Sequence, residues 1–282
     1  MKDINAKKFT TGNIITIAAL AVISILFIAP ILLVLLNSFK GKLYVLDTPF
    51  AFPNAESFTG FTNYTHGLVA TGFFSAFGWS LFITVFSVAA IVLFSAMTAW
   101  YITRSPLKFC KSLYFIFVFA MIVPFQMVMF PLTTVVTTLR LDNPAGILLI
   151  YLGFGSAQAV FLFSGFVKSV PLAVEEAATI DGCTPITAFF AVIFPMLSPI
   201  AITVAILNAM WIWNDFLLPY LTIGSEFRTI PVAVQYLRGG YGSIDWGYMM
   251  AVIIMAVIPI IAFYFACQRH IIEGVTAGSV KG

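Results

Sequence analysis

Six stretches of this sequence are long enough to cross a lipid bilayer, and none of them contains Asp, Glu, Lys, Arg or His. A helix needs about 20 mostly apolar residues to span the hydrocarbon layer. The apolar runs are continuous and do not alternate with polar residues, which favours helices over barrel strands. The predicted spans are residues 14–36, 73–100, 112–134, 145–167, 191–213 and 246–267. The sequence therefore predicts an all-α integral membrane protein with six transmembrane helices in a single domain, residues 1–282.

The composition excludes a water-soluble globule. Of the 282 residues 61% are hydrophobic and 9% are charged, and the mean hydropathy is +1.04, so too few polar side chains are present to cover a soluble surface. The net charge of +3 is explained by Lys and Arg in the connections between spans. Because no basic patch with interleaved aromatic residues occurs, we expect membrane lipid around this chain and no nucleic-acid partner.

The distribution of Lys and Arg indicates the orientation. If the amino terminus lies inside the cell, nine of the 14 Lys and Arg residues fall in inner segments, as positively charged residues usually do. The first apolar run is longer than the core of a cleavable signal peptide and contains Pro30, so we interpret it as a retained span. We therefore expect a multi-pass protein of the cell (inner or cytoplasmic) membrane, with both termini and the loop at residues 168–190 in the cytoplasm.

This inner loop has the pattern of two short helices joined by a tight turn. Pro171 suits the first turn of a helix, and Asp181-Gly182 ends the helix because Gly adopts the left-handed cap conformation without strain. Thr184-Pro185 combines a capping hydroxyl with Pro at the first helical position, which predicts the second helix. The sequence therefore predicts a helix-turn-helix between the fourth and fifth spans.

The first helix of the loop is predicted to be amphipathic. One side of its helical wheel is formed by Leu172, Glu175, Glu176 and Thr179. The other side is formed by Ala173, Val174, Ala177, Ala178 and Ile180. We expect both acids to face the cytoplasm, and we expect Pro195 and Pro199 to bend the chain where it enters the fifth span.

The loop also carries an ordered motif. Glu176-Ala177-Ala178 is followed by three residues and Gly182, and then by nine residues and Val-Ile-Phe-Pro at residues 192–195. This spacing resembles the signature loop of the membrane-spanning subunits of ATP-binding-cassette importers, which ends in Ile-x-Leu-Pro. In this chain Val and Phe replace the Ile and the Leu, so both positions stay apolar.

The likeness extends beyond the loop. The ending at residues 268–282, the segment Trp213-Asn214-Asp215-Phe216 and the segment at residues 229–232 are similar to the carbohydrate-uptake branch of the family, specifically to the smaller permease of the maltose type. The alternative is a solvated tail without a role, although the small and Gly-rich composition of the ending suits a segment that folds against a partner. The resemblance covers almost the whole chain.

The resemblance implies an importer permease that translocates a sugar or oligosaccharide delivered by an extracellular or periplasmic solute-binding protein. It further implies two cytoplasmic ATPase subunits, which bind ATP and Mg, and a second, different permease subunit. The chain itself is expected to have no catalytic residue, no metal site and no cofactor, and so to be no enzyme. The residues implied in ATPase coupling are Glu175, Glu176, Ala177, Ala178, Asp181, Gly182 and Pro195.

Polar groups in or beside the spans are candidates for a translocation path. They are Gln126, Tyr151, Gln158, Asn208, Trp211, Asn214 and Asp215. Amide hydrogen bonds and aromatic stacking suit neutral sugars. The alternative for each residue is hydrogen bonding between helices or anchoring at the membrane interface. The sequence leaves the carried sugar open, and glycerol phosphates and other small solutes stay as alternatives.

Two other classes of function fit the sequence less well. A proton-coupled carrier usually needs an ionisable group within the membrane, and the six spans contain none, whereas sodium coupling through backbone carbonyls stays open. A membrane enzyme is disfavoured because the two histidines, His66 and His270, fall on opposite sides of the membrane in this topology. Cys110, Cys183 and Cys267 all fall on or near the cytoplasmic side and are expected to be reduced thiols.

Overall fold

The computed structural model describes residues 11–224, 226–237 and 244–279, with side chains described from residue 12 to residue 268 within these ranges. The described chain is helical and forms no β-strand, and one isolated antiparallel bridge joins Lys40 to Phe58. The helices are α1 (Thr11–Asn37), α2 (Lys42–Asp47), α3 (Thr62–Thr71), α4 (Phe73–Arg104), α5 (Lys108–Ala120), α6 (Phe125–Leu139), α7 (Pro144–Val167), α8 (Leu172–Ile180), α9 (Pro185–Ala188), α10 (Phe194–Met196), α11 (Ser198–Asn214), α12 (Leu217–Thr222), α13 (Ile230–Gln235) and α14 (Trp246–Ser279). The predicted all-α fold is confirmed.

Four helices of the described chain are individually long and apolar enough to cross a membrane, namely α1, α4, α7 and α14 up to Gln268. They correspond to the first, second, fourth and sixth predicted spans. The helix α4 continues to Arg104 and α14 continues to Ser279, so both are longer than the apolar runs that they contain. Six spans result when each of two bent helix pairs is counted as one further span.

The third predicted span, residues 112–134, is not one continuous helix. It is formed by α5 and α6, whose axes differ in direction by 106°. Pro124 stands immediately before α6 in an extended conformation, and it has no N–H group with which to continue the hydrogen bonds of α5. The prediction of a single helix over these residues was wrong, because hydropathy alone does not register the lost donor.

The fifth predicted span, residues 191–213, starts earlier than expected and is bent. The helical path begins at Pro185, runs through α9, a π-helical turn at Phe189–Ile193 and α10, and then changes direction by 77° into α11. In the π-helical turn the N–H of Phe194 donates to the carbonyl of Phe189, five residues back. Pro195 and Pro199 supply no donors on either side of the bend, so the predicted proline bend is confirmed.

Internal contacts divide the chain into two compact units, residues 1–70 with 237–257 and residues 71–236 with 258–282. The inclusion of all 282 residues in one domain stays a prediction. The sequence Arg-Gly-Gly-Tyr-Gly at residues 238–242 favours a flexible external turn, and these residues lie outside the described ones.

In the first unit, the polar connection after α1 is folded and not an open loop. The side-chain amide of Asn63 donates to the carbonyls of Ser38 and Lys40, both at 2.8 Å. The Nζ of Lys40 donates to the carbonyl of Thr48 at 2.7 Å, and burial lowers the pKa of this amine. The sequence of this connection allows a short amphipathic helix near residues 58–68, and α3 overlaps that range, whereas the sequence did not indicate α2.

In the second unit, α4 packs against α7 and α11 through small residues. The buried small side chains on α4 and α7 include Ser87, Ser95, Ala96, Ala99, Ala157, Ala159 and Ser164. The tightest approach is at Gly155, where an added Cβ would lie 2.5 Å from Ile91 Cδ1 and 2.8 Å from Asn208 Oδ1. Small residues let membrane helices approach closely and gain van der Waals contact, so these three helices form the core that supports the inner loop.

Candidate functional site

The first helix of the inner loop, α8, ends as its sequence predicts. Gly182 has a φ of +86°, the left-handed conformation that side chains rarely adopt. Its N–H donates to the carbonyl of Thr179 at 3.1 Å, and the N–H of Cys183 donates to the carbonyl of Ala178 at 3.0 Å. These two bonds form a Schellman cap, which satisfies carbonyls that the end of a helix otherwise leaves unpaired.

The second helix, α9, begins with the predicted cap. The hydroxyl of Thr184 accepts a hydrogen bond from the N–H of Thr187 at 3.2 Å, and Pro185 occupies the first helical position. The predicted helix-turn-helix is confirmed. Pro195 lies downstream in α10, on the path into α11.

The helix α8 has a different exposed face from the predicted one. Ala178 is buried, and Val174 and Glu175 are half-buried. The exposed residues of the helix are Leu172, Ala173, Glu176, Ala177, Thr179 and Ile180. The expectation that both acids lie on an open face was therefore wrong for Glu175, whereas Glu176 is exposed.

Glu175 is held by two residues at the end of α4. Arg104 Nε donates to Glu175 Oε1 at 2.7 Å, and Trp100 Nε1 donates to Glu175 Oε2 at 3.0 Å. Arg104 Nη2 also donates to the carbonyl of Val170 at 2.7 Å, just before α8 begins. The ion pair is partly shielded from solvent, because the Glu175 side chain is 13% exposed and that of Arg104 is 22% exposed.

The roles of Trp100 and Arg104 were not predicted from the sequence. Trp100 has the position of an aromatic residue at the headgroup level, and Arg104 has the position of a positive residue in an inner turn. Both signals are present, but they do not specify a partner. A Trp and an Arg four residues apart lie on one side of a helix, and this spacing was the available sign that both could reach one acid.

A second polar cluster lies where α7 meets the end of α11. The hydroxyl of Tyr151 donates to Asp215 Oδ2 at 3.1 Å, and the Trp211 ring packs edge-on against Tyr151 at 5.4 Å between centroids. Asp215 Oδ1 accepts the N–H groups of Leu217 and Leu218 at 3.0 and 3.3 Å, which caps α12. Burial raises the pKa of the Asp215 carboxyl, and these hydrogen bonds oppose the rise.

The other candidates for a translocation path have different surroundings. Asn208 is buried and donates to the carbonyl of Val204, while Asn214 is exposed and donates to the carbonyl of Met210. Both bonds stay within α11. Gln126 and Gln158 are exposed. The structure thus brings together Tyr151, Trp211 and Asp215 from the predicted set.

The second unit also contains an apolar cavity of about 710 Å³ that the sequence did not predict. It lies between α4, α11 and α14, and its lining includes Phe77, Trp213 and Pro259. The Thr84 hydroxyl at its wall is buried and has no hydrogen-bond partner among the described residues. Its apolar wall is suited to hydrocarbon and not to the many hydroxyls of a sugar.

Comparison with known proteins identifies the family. Residues 91–276 match the family of binding-protein-dependent transport system inner membrane components. The chain is 39% identical over 261 residues to the probable starch degradation products transport system permease protein AmyC of Thermoanaerobacterium thermosulfurigenes, covering 92% of this chain and 94% of the relative. It is 37% identical to the multiple sugar-binding transport system permease protein MsmG of Streptococcus mutans, covering 93% and 95%.

The fold is similar to that of a solved transporter structure. A chain of a bacterial ABC transporter involved in the import of the acidic polysaccharide alginate aligns with a TM-score of 0.75 and 21% sequence identity, covering 93% of this chain and 98% of that chain. This likeness supports the all-helical membrane fold.

These findings define a membrane-embedded transport subunit and not an enzyme. The chain belongs to the family of binding-protein-dependent transport system inner membrane components. It is the permease subunit of an ATP-binding-cassette importer, in which ATP hydrolysis belongs to a separate subunit. The class predicted from the motif at residues 176–195 is confirmed.

Proposed function

We propose that this permease translocates a sugar or an oligosaccharide, driven by ATPase subunits that dock on the loop formed by α8 and α9. The observation that carries the proposal is the exposed face of α8, where Glu176 stands beside Ala173 and Ala177. The sugar class is supported by relatives named for starch degradation products and for multiple sugars.

The exposed face of α8 and the start of α9 have the chemistry of a docking surface. The Glu176 carboxylate is available for a basic residue in a cleft of the ATPase. Ala173 and Ala177 allow close approach of the partner backbone. Ile180 and Ile186 are 85% and 68% exposed and offer apolar area that docking would cover. Asp181 is exposed next to them and would add a second negative charge.

The partners follow from this assignment. Two ATPase subunits bind the ATP and Mg, and this chain takes no cofactor and no metal of its own. A second, different permease completes the membrane part, and a solute-binding protein delivers the sugar at the outer side. Apolar side chains of α1 are exposed in the isolated chain, and membrane lipid or the second permease would cover them.

The cluster of Tyr151, Trp211 and Asp215 is our candidate for the part of the path that contacts sugar. The Trp211 side chain is 41% exposed and presents an aromatic face to a sugar ring. Asp215 fixes the Tyr151 hydroxyl and caps α12, so it positions the aromatic pair. The exposed amide of Asn214, one residue before Asp215, could bind sugar hydroxyls.

The proposed orientation places α8 and α9 in the cytoplasm and the connection between α11 and α14 outside. An impermeant maleimide added to intact cells is then expected to label a Cys introduced at the exposed Glu226 and to leave the half-exposed Cys183 unlabelled. The same reagent should label Cys183 after the cells are opened. Labelling of Cys183 in intact cells would contradict the orientation.

Uptake by the reconstituted system tests the transport function. We expect vesicles that contain this chain, its second permease and its ATPase to transport malto-oligosaccharides into their lumen. ATP must be supplied on the side of the membrane that carries the ATPase, and the solute-binding protein on the opposite side. Vesicles with this chain alone should not accumulate them. Uphill uptake by the chain alone would contradict the function, and selective uptake of a non-carbohydrate would contradict the substrate class.

A further inference from the structure

We propose that Trp100 and Arg104 are positioning residues that couple α4 directly to α8, so that the inner end of this span and the docking helix move as one body. The proposal rests on the proposed docking of ATPase subunits at α8. It assigns different tasks to two neighbouring acids, because Glu176 faces outward to the ATPase and Glu175 faces inward to α4.

The geometry of the acid supports this assignment. Both carboxylate oxygens of Glu175 are engaged by residues from the last turn and a half of α4, one by Arg104 and one by Trp100. A carboxylate bound at both oxygens by donors from one rigid helix has little freedom to change direction. Glu175 also lies in the first turn of α8, where the helix dipole favours a negative charge.

A second attachment makes the contact more than a single ion pair. Arg104 bonds simultaneously to Glu175 and to the carbonyl of Val170, so one guanidinium holds α8 and the residue that leads into it. The Trp100 ring packs against Phe189 at 5.5 Å between centroids. Phe189 begins the π-helical turn after α9 and is 1% exposed. The end of α4 therefore contacts both sides of the inner loop.

The consequence concerns the transmission of force. The helix α4 also packs along α7 and α11 and so belongs to the helical core. If α8 is displaced when the ATPase subunits close, this set of contacts passes the displacement to α4 in addition to the short backbone connection between α7 and α8. Loss of the contacts should leave docking at Glu176 intact and lower the number of sugars moved per ATP hydrolysed.

Arg104→Gln in the complete importer tests the proposal. We expect the ATPase to co-purify at the wild-type level, while the ratio of sugar uptake to ATP hydrolysis falls about tenfold or more. Arg104→Lys should be intermediate, because an ammonium lacks the fork that serves two acceptors at once.

Glu175→Gln should lower the ratio of uptake to hydrolysis about as much as Arg104→Gln does. The variant with both substitutions should be no worse than either single one, since both changes break the same contact. Lys108→Gln removes a nearby exposed positive charge and should leave the ratio unchanged.

The outcomes separate this inference from the proposed function. An unchanged ratio in Arg104→Gln, with the complex intact, would overturn the positioning role and leave ATPase docking untouched. Additive losses in the double variant would also overturn it. Failure of Glu176 variants to affect docking would instead reject ATPase docking on α8, on which this inference rests.

A distance measurement tests whether α4 and α8 move together, even if the complex with Arg104→Gln does not assemble. Spin labels at the exposed positions Tyr101 on α4 and Leu172 on α8, in a complex that keeps Arg104 and Glu175, report the relative movement of the two helices. We expect the same distance distribution without nucleotide and in the ATP-trapped state. A shift of the distribution between these states would overturn the proposal.

Discussion

Glu176→Lys is expected to abolish both co-purification of the ATPase and sugar uptake, while the protein still inserts in the membrane. The side chain is exposed on α8, so the substitution leaves the packed side of the helix intact. Docking would bring the new positive charge against the basic residue proposed for the ATPase cleft. Removing one member of a desolvated charge pair costs about 2–5 kcal/mol. A loss of about 3 kcal/mol weakens docking roughly 100-fold.

Affinity purification of the complex and uptake of labelled sugar provide the measurements. Asp142→Lys is the matched control, because it reverses another exposed acid, in the short turn between α6 and α7. It should retain both ATPase binding and insertion. If Glu176→Lys bound the ATPase and transported sugar like the wild type, the docking surface would have to be sought elsewhere.

The backbone of the inner loop could be predicted from the sequence because each turn depends on local chemistry. Gly182 provides the left-handed conformation that ends α8, and Thr184 with Pro185 begins α9. Such signals act within three or four residues of the chain. The spans α1, α4, α7 and α14 were likewise evident, since an uninterrupted apolar run is enough to specify a membrane helix.

Contacts between distant parts of the chain could not be predicted in the same way. The helical wheel of α8 distinguished a polar side from an apolar side, but Glu175 is turned inward by Arg104, which lies 71 residues earlier. The contact between Tyr151 and Asp215 joins residues 64 positions apart. In both cases tertiary packing determines the partner, and the local periodicity of the sequence does not predict it.

The break between α5 and α6 illustrates a different limit. Pro124 was visible in the sequence, but prolines are tolerated in membrane helices, where neighbouring groups can satisfy the freed carbonyls. Pro259, in contrast, lies inside the continuous helix α14. The residue type alone therefore does not determine whether a span breaks, since the chain changes direction by 106° between α5 and α6 but continues as one helix past Pro259.

Gly155→Leu is expected to destabilise the folded permease by about 1–3 kcal/mol, the usual cost of overpacking a well-packed core. Even the Cβ of the new side chain would lie 2.5 Å from Ile91 Cδ1 and 2.8 Å from Asn208 Oδ1. Those residues are 0% and 2% exposed, so their side chains have no open solvent into which to move aside. The midpoint of thermal unfolding of the purified chain in detergent should fall accordingly.

Gly153→Leu supplies the matched control for this substitution. It introduces the same side chain on the same helix two positions earlier, where a built Cβ has nothing within 4 Å. Leu is also the better helix former by nearly 1 kcal/mol, so the unfolding midpoint should be unchanged or slightly higher. Equal midpoints for both variants would mean that α7 does not approach α4 and α11 as closely as the structure has it. The small-residue contact at Gly155 would then not be what holds the helices of the core together.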